Sequence, residues 1–300
     1  MRLISRFLVA ACVVVAGFAA ATPAAAVKSV GPVRLYLVLS DASEPSYLFG
    51  TYYSAHPRVL DVLDEVQEAF QRCTVLATEF TGDWGILGIA AMFLPAGQDL
   101  GDFLDDETLE AVLYGMERRG VERPFARRVQ LWAAAQTLWS PPPGQDTDEY
   151  ALPLEDRILL MALAAGKRHV ELETGPEAFG PAARLPIDDQ IAMVRTALND
   201  DLDYFDGAMT QAYLDGDLER LVGLLTENDP PMAEDAKTRF LDASLYARQR
   251  LWMKRLAPLL DQGGVFVSVG AMHLYGEKGL IARLKRAGYE VIPLRSKGGT

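Results

Sequence analysis

One segment near the carboxyl end constrains the fold of this chain more than any other. Val265-Phe266-Val267-Ser268-Val269 is a short, β-branched, apolar run of the kind that forms a buried strand. It ends in Gly270-Ala271-Met272-His273, and Gly276 to Gly279 then lead into a helical segment carrying Leu280, Ile281 and Leu284. Gly288 stops that helix, and Tyr289 to Leu294 read as a closing strand. Strand, turn, helix and strand in this order are the parts of a βαβ crossover. An altered copy lies near the amino end. Tyr47-Leu48-Phe49 runs into Gly50-Thr51-Tyr52-Tyr53, where a tyrosine stands in place of the histidine. A helix beginning at Pro57, with Leu60, Leu63, Val66 and Phe70 on one face, and a strand from Cys73 to Ala77 complete the second unit.

The fold expected is therefore α/β. Two related βαβ units form a central mixed sheet, with a large helical insertion at about 84–260 between them. Arg34–Ser40 and Ser46–Phe49 form a hairpin across the turn Asp41–Pro45, and Arg168–Leu172 adds a strand. Helical periodicity marks Asp105–Arg118, Pro124–Trp139, Leu154–Ala165, Asp188–Leu198, Asp217–Leu225 and about Pro231–Leu260. Pro141-Pro142-Pro143-Gly144 opens a loop running to Tyr150. No linker separates the parts, so residues 27–300 are expected to make one domain.

Residues 1–26 read as a secretory signal. Arg2 and Arg6 form a basic start, Phe7 to Ala21 is apolar, and Ala24-Ala25-Ala26 offers a cleavage site. An uncleaved anchor and a lipidated Cys12 are the alternatives. The reading implies export to a periplasmic or secreted location and no stable membrane insertion after cleavage. The net charge of −12 argues against nucleic acid as a partner. With Cys12 gone, Cys73 has no disulfide partner and reads as a buried, inert thiol.

Ligands of α/β folds collect beyond the carboxyl ends of strands, which places Gly50, Tyr53, Gly270 and His273 at a cleft. A histidine there can bind metal, move protons, or simply cap a helix in the core. Glu173 ends a strand and can face the same cleft or solvent. Asp156 sits in the first turn of a helix, where the dipole favours it in any case. His169 reads as structural, and Trp132, Trp139 and Trp252 read as packing residues.

These segments resemble the TraB/GumN family, which includes the TIKI-type proteases. Val269 to Leu280 is similar to that family's carboxyl-terminal signature, and Leu48-Phe49-Gly50-Thr51 to the front of its amino-terminal one. Ala77-Thr78-Glu79, Leu94 to Leu100, Leu172-Glu173-Thr174 and Arg248-Gln249-Arg250-Leu251-Trp252 resemble further elements, the last with glutamine in place of asparagine. The resemblance runs from about Leu35 to Leu294. It implies a divalent metal of unknown identity held by His273 and Glu79, with Glu79 a ligand or general base. It also implies that Arg248 neutralises a substrate carboxylate or an oxyanion.

Tyr53 departs from the pattern, since a neutral phenol is a poor metal ligand. His56 is the nearest replacement. The function expected is metal-dependent hydrolysis of peptide or amide bonds, with a peptide or small molecule as substrate. The alternative is a periplasmic binding or scaffold protein that has lost catalysis.

Overall fold

The structure, a computed structural model, describes residues 34–42, 44–82, 85–140, 152–199, 202–224 and 233–294. The signal segment, Cys12, the loop from Pro141 to Tyr150 and the start of the helical segment at Pro231 lie outside the described residues.

Six strands form one mixed sheet: β1 (Leu35–Leu39), β2 (Ser46–Thr51), β3 (Val75–Thr78), β4 (Arg168–Glu171), β5 (Val265–Gly270) and β6 (Glu290–Leu294). Their spatial order is β4-β3-β5-β2-β1-β6. The expected α/β class and mixed sheet are present. β1 and β2 make the expected antiparallel hairpin, with Leu35 opposite Phe49 and Val38 opposite Ser46. β5 pairs in parallel with both β2 and β3, so the two Gly-x-x segments end side by side, Thr51 opposite Gly270. β4 lies parallel to β3 at one edge.

The central strands are the most apolar, as strands covered on both faces must be. β2 is buried along its whole length, and Leu76, Ala77, Phe266 and Val267 are almost completely enclosed. The helix Val62–Arg72 lays Val62, Val66, Ala69 and Phe70 onto the sheet, and Phe70 meets Phe266 edge-on at 5.4 Å between ring centres. Cys73 is buried, and burial pushes its thiol up to about 12, which makes it inert near neutral pH.

The helices Gly175–Ala183 and Leu202–Asp215 add to those expected from periodicity, and two expected stretches are interrupted. Pro124–Trp139 is not one helix but two, Arg123–Ala126 and Leu131–Trp139. Between them the backbone turns to pair with a neighbouring loop. Gln130 donates to Met92 O at 2.8 Å, Leu94 donates to Arg128 O at 2.7 Å, and Phe93 bridges Val129. Those tertiary hydrogen bonds outweigh the local helical preference. In the long segment the helices Glu234–Leu241 and Ala247–Leu260 are joined by a π-helical turn, Asp242–Tyr246. The wider turn changes the phase of the helix that follows, which buries both Arg248 and Gln249. That helix sets Arg248 and Trp252, four residues apart, on the face toward the site described next.

Candidate functional site

The parallel strands β2, β3 and β5 end at a cleft of about 840 Å³, including its mouth open to solvent. Thr51 and Tyr53 come from the end of β2, Thr78 and Glu79 from β3, and Gly270 from β5. The first turn of the helix Leu154–Ala164 adds Glu155 and Asp156 from the other side. Parallel strands leave their amide and carbonyl groups open at their ends, so side chains from separate elements converge there.

Glu79 is the hinge between this cleft and the protein interior. Its residue is 7% exposed. Oε1 accepts from the Gly270 amide at 2.6 Å, and Oε2 accepts from Arg248 Nη2 at 2.5 Å. A glycine suits position 270 because a Cβ there would stand 3.3 Å from Glu79 Oε1. Burial pushes the Glu79 carboxyl up, but Arg248, His273 and the Gly270 amide together outweigh it and hold the group below its ordinary value.

Behind Glu79 lies a closed polar network. Arg248 Nε donates to both oxygens of Glu173 at 3.0 Å, and Arg248 Nη2 makes a second, short contact with Glu173. Burial drives the Glu173 carboxyl above its ordinary value, against the pull of Arg248. Arg248 Nη1 stands 3.4 Å from His273 Nε2. The His273 ring is fully enclosed and packs on Trp252 at 4.5 Å between ring centres.

Gln249 approaches this histidine at Nδ1. Its Oε1 accepts from Arg283 Nε at 3.1 Å, which turns its NH₂ toward His273 Nδ1, 3.3 Å away. Gln249 and Arg248 thus present donors to the two ring nitrogens, and a neutral ring, with a single acceptor nitrogen, accepts from one of them. Burial lowers the His273 pKa to about 4, so the ring is neutral at physiological pH.

The structure therefore brings Glu79, Glu173, Arg248 and His273 together, but only Glu79 of these four lines the cleft. Glu173 faces inward, not into the cleft as one sequence reading had it. The guanidinium of Arg248 is turned to Glu79, Glu173 and His273, which makes it a positioning residue here and not a contact for substrate. Tyr53 and Gly270 line the cleft. Gly50 lies beneath it, where a Cβ would come within 2.7 Å of Leu274 Cδ1 and 3.1 Å of Ala271 Cα. His56 caps the helix at Pro57, its Nδ1 accepting from Arg58 N at 3.2 Å, and it is not among the cleft's lining residues. His169 is held by Thr78, with Oγ1 and Nε2 2.8 Å apart.

As arranged, these residues do not fit a divalent ion. His273 Nε2 lies 3.8 Å from Glu79 Oε1, but it faces a guanidinium cation at 3.4 Å. Glu173 is committed to Arg248, and among the described residues no three His, Cys, Asp or Glu side chains are grouped to hold a metal. Arg248 itself supplies the positive charge that balances Glu79.

Glu155 is the site residue that sequence reasoning missed in favour of its neighbour Asp156. Its Oε2 is buried without a hydrogen-bond partner, and so is the hydroxyl oxygen of Thr51, a residue only 2% exposed. Burial pushes the Glu155 carboxyl up to about 8, with the nearby Thr51 hydroxyl pulling it partly back and Glu79 and Asp156 adding to the rise. Burial also raises Asp156. Two adjacent acids were visible in the sequence, but no signal said which of them turned inward.

No curated protein and no solved structure matches this chain. A family model does match, over residues 35–293, nearly the whole span between β1 and β6. The elements it spans include all those that build the cleft and the network behind it, and the chain belongs to the TraB/PrgY/gumN family.

Proposed function

We propose that this protein is an exported hydrolase of peptide or amide bonds, acting in the cleft at the carboxyl ends of β2, β3 and β5. The observation that carries the reading is Glu79. It is a carboxylate kept ionised by a buried guanidinium and a backbone amide, yet it lines an open cleft with apolar walls. Such a group can take a proton from a water molecule as that water adds to the carbonyl carbon of the scissile bond. Once protonated, it can return the proton to the leaving nitrogen as the C–N bond breaks. Water is consumed, an acid and an amine are released, and Glu79 ends as it began. Arg248 and Gly270 hold its orientation, and the neutral His273 ring packs behind it. No step here is assigned to a metal.

Export rests on the basic start, apolar run and small-residue site within residues 1–26. Among the described residues, no helix is long and apolar enough to cross a membrane.

The test is turnover of a mixed peptide library by purified protein, read by mass spectrometry, against Glu79→Gln. Cleavage that drops at least a hundredfold in the variant supports the reading. Equal rates, or no cleavage by either protein, would remove it.

Tyr53 favours a second reading. It lines the cleft where the other Gly-x-x segment has histidine, and His56 does not take its place. On this reading the cleft holds a peptide or small molecule without cutting it. Saturable peptide binding with no turnover would select it.

A further inference from the structure

We propose that the hollow formed by Thr51, Glu155 and the cleft face of Glu79 is a subsite for a primary ammonium group, so that the ligand is an amine-bearing molecule with an apolar neighbour. This names a substrate class for the hydrolase reading and rests on it in that respect. The binding claim itself stands apart from turnover.

Three observations carry it. The first is a pair of orphaned atoms. Thr51 Oγ1 and Glu155 Oε2 are both buried, neither makes a hydrogen bond of normal geometry although the hydroxyl is near enough to act on the carboxyl, and both belong to residues that line one cleft. Buried polar atoms are almost always paired, so a hydroxyl and a carboxyl oxygen left without a full set of bonds in one hollow mark a place for a polar ligand group. A primary ammonium offers three N–H donors.

The second is charge. The described lining residues include Glu79, Glu155 and Asp156 but no lysine, arginine or histidine. Arg248 balances Glu79 from behind, which leaves Glu155 and Asp156 as acids with no cation among the described lining residues; Glu155 holds a proton at neutral pH and would release it to solvent as an ammonium enters. A substrate carboxylate would find no cation among the described lining residues.

The third is the wall. Tyr52, Phe80, Leu159, Val269 and Met272 surround the acids with apolar surface. A hard divalent ion seeks six or more oxygens and retains water, whereas an ammonium beside a hydrocarbon group matches one polar corner in an apolar cleft. For a peptide, this places a free amino terminus next to Glu79 and therefore close to the bond to be cut.

The test uses probes with no hydrolysable bond. Binding of 2-phenylethylamine, 2-phenylethanol and 3-phenylpropanoate to purified protein is measured by calorimetry at pH 7. The amine is expected to bind at least tenfold tighter than the alcohol, and the carboxylate weakest. Glu155→Gln should abolish the preference for the amine over the alcohol. Thr51→Val provides a second variant should Glu155→Gln fold poorly, and it should reduce the preference several-fold.

Equal affinity for amine and alcohol overturns the inference, as does a preference that survives both substitutions. Stoichiometric Mn²⁺ binding that is lost in both variants also overturns it, since the hollow would then be a metal site. If the amine preference holds but no peptide is cleaved, the hydrolase reading falls and this inference stands. If peptides with blocked amino termini are cleaved as fast as free ones and the amine shows no preference, the reverse follows.

Discussion

Arg248 Nη2 lies 2.5 Å from Glu79 Oε2, and both side chains are more than nine-tenths removed from solvent. The pair joins the helix Ala247–Leu260 to the end of β3 across a sequence separation of 169 residues. It links the interior network to the cleft, and its strength follows from enclosure rather than from charge alone, since exposed pairs contribute little.

Removing the guanidinium leaves two buried carboxylates without their cation. Arg248→Met is therefore expected to lower stability by about 3–5 kcal/mol, measured by urea unfolding at pH 7. Combining it with Glu79→Gln and Glu173→Gln should recover part of that loss. A single variant as stable as the wild type would mean that the network is not a stabilising unit.

The pH dependence has opposing parts. Glu155, raised to about 8 by burial, binds a proton in the folded state that the unfolded chain has released above about 4.5. It thus stabilises at low pH, and that contribution declines as pH rises from about 4.5 to 8. His273, lowered to about 4 by burial, acts oppositely, because the unfolded chain binds its proton below about 6.5 and the folded protein does not. Its effect makes stability rise with pH between about 4 and 6.5. The two oppose each other in their shared window, so the decline due to Glu155 is exposed between pH 6.5 and 8. Its slope is at most about 1.4 kcal/mol per pH unit. Chemical denaturation across this range should show the decline, and Glu155→Gln should flatten it.

Restoring a histidine in the amino-terminal Gly-x-x segment is expected to be insufficient to bind metal. Tyr53→His leaves the Arg248 guanidinium 3.4 Å from His273 Nε2, where an ion would have to sit. Zn²⁺ titration should give the same weak binding in Tyr53→His as in wild type. Tightening by a hundredfold or more would show that Arg248 moves aside for the ion.

Gly50 is required for close packing, not for chemistry. A methyl group at that position would press on Leu274 Cδ1 at 2.7 Å and on the Ala271 backbone at 3.1 Å. Gly50→Ala is expected to destabilise by about 1–3 kcal/mol through overpacking. It should also shift the turn that carries His273. Thermal unfolding checks the first effect. An unchanged melting temperature would show that the turn yields without cost.

Much of the sheet was legible in the chain. The hairpin, the buried runs of β3 and β5 and the edge strand β4 each have a local signature in β-branched content and turn residues, and the side-by-side ends of β2 and β5 follow from two similar Gly-x-x segments. The break at 127–130 was not legible, because the bonds that cause it reach back to Met92 and Leu94. Nor was the choice between Glu155 and Asp156. Adjacent residues on a helix point about 100° apart, and packing against segments far away in sequence decides which acid has a buried carboxyl oxygen.

Residue type and local period by themselves determined the strands and their order, most of the helices, the signal-like start and most of the side chains able to do chemistry. The tertiary structure alone decided that Arg248 turns inward to two glutamates, that His273 sits behind the cleft and not in it, and that Thr51 and Glu155 share its hollow. The physical reason is range. Propensity and periodicity act over a few residues, whereas burial and charge pairing depend on which distant segments pack together.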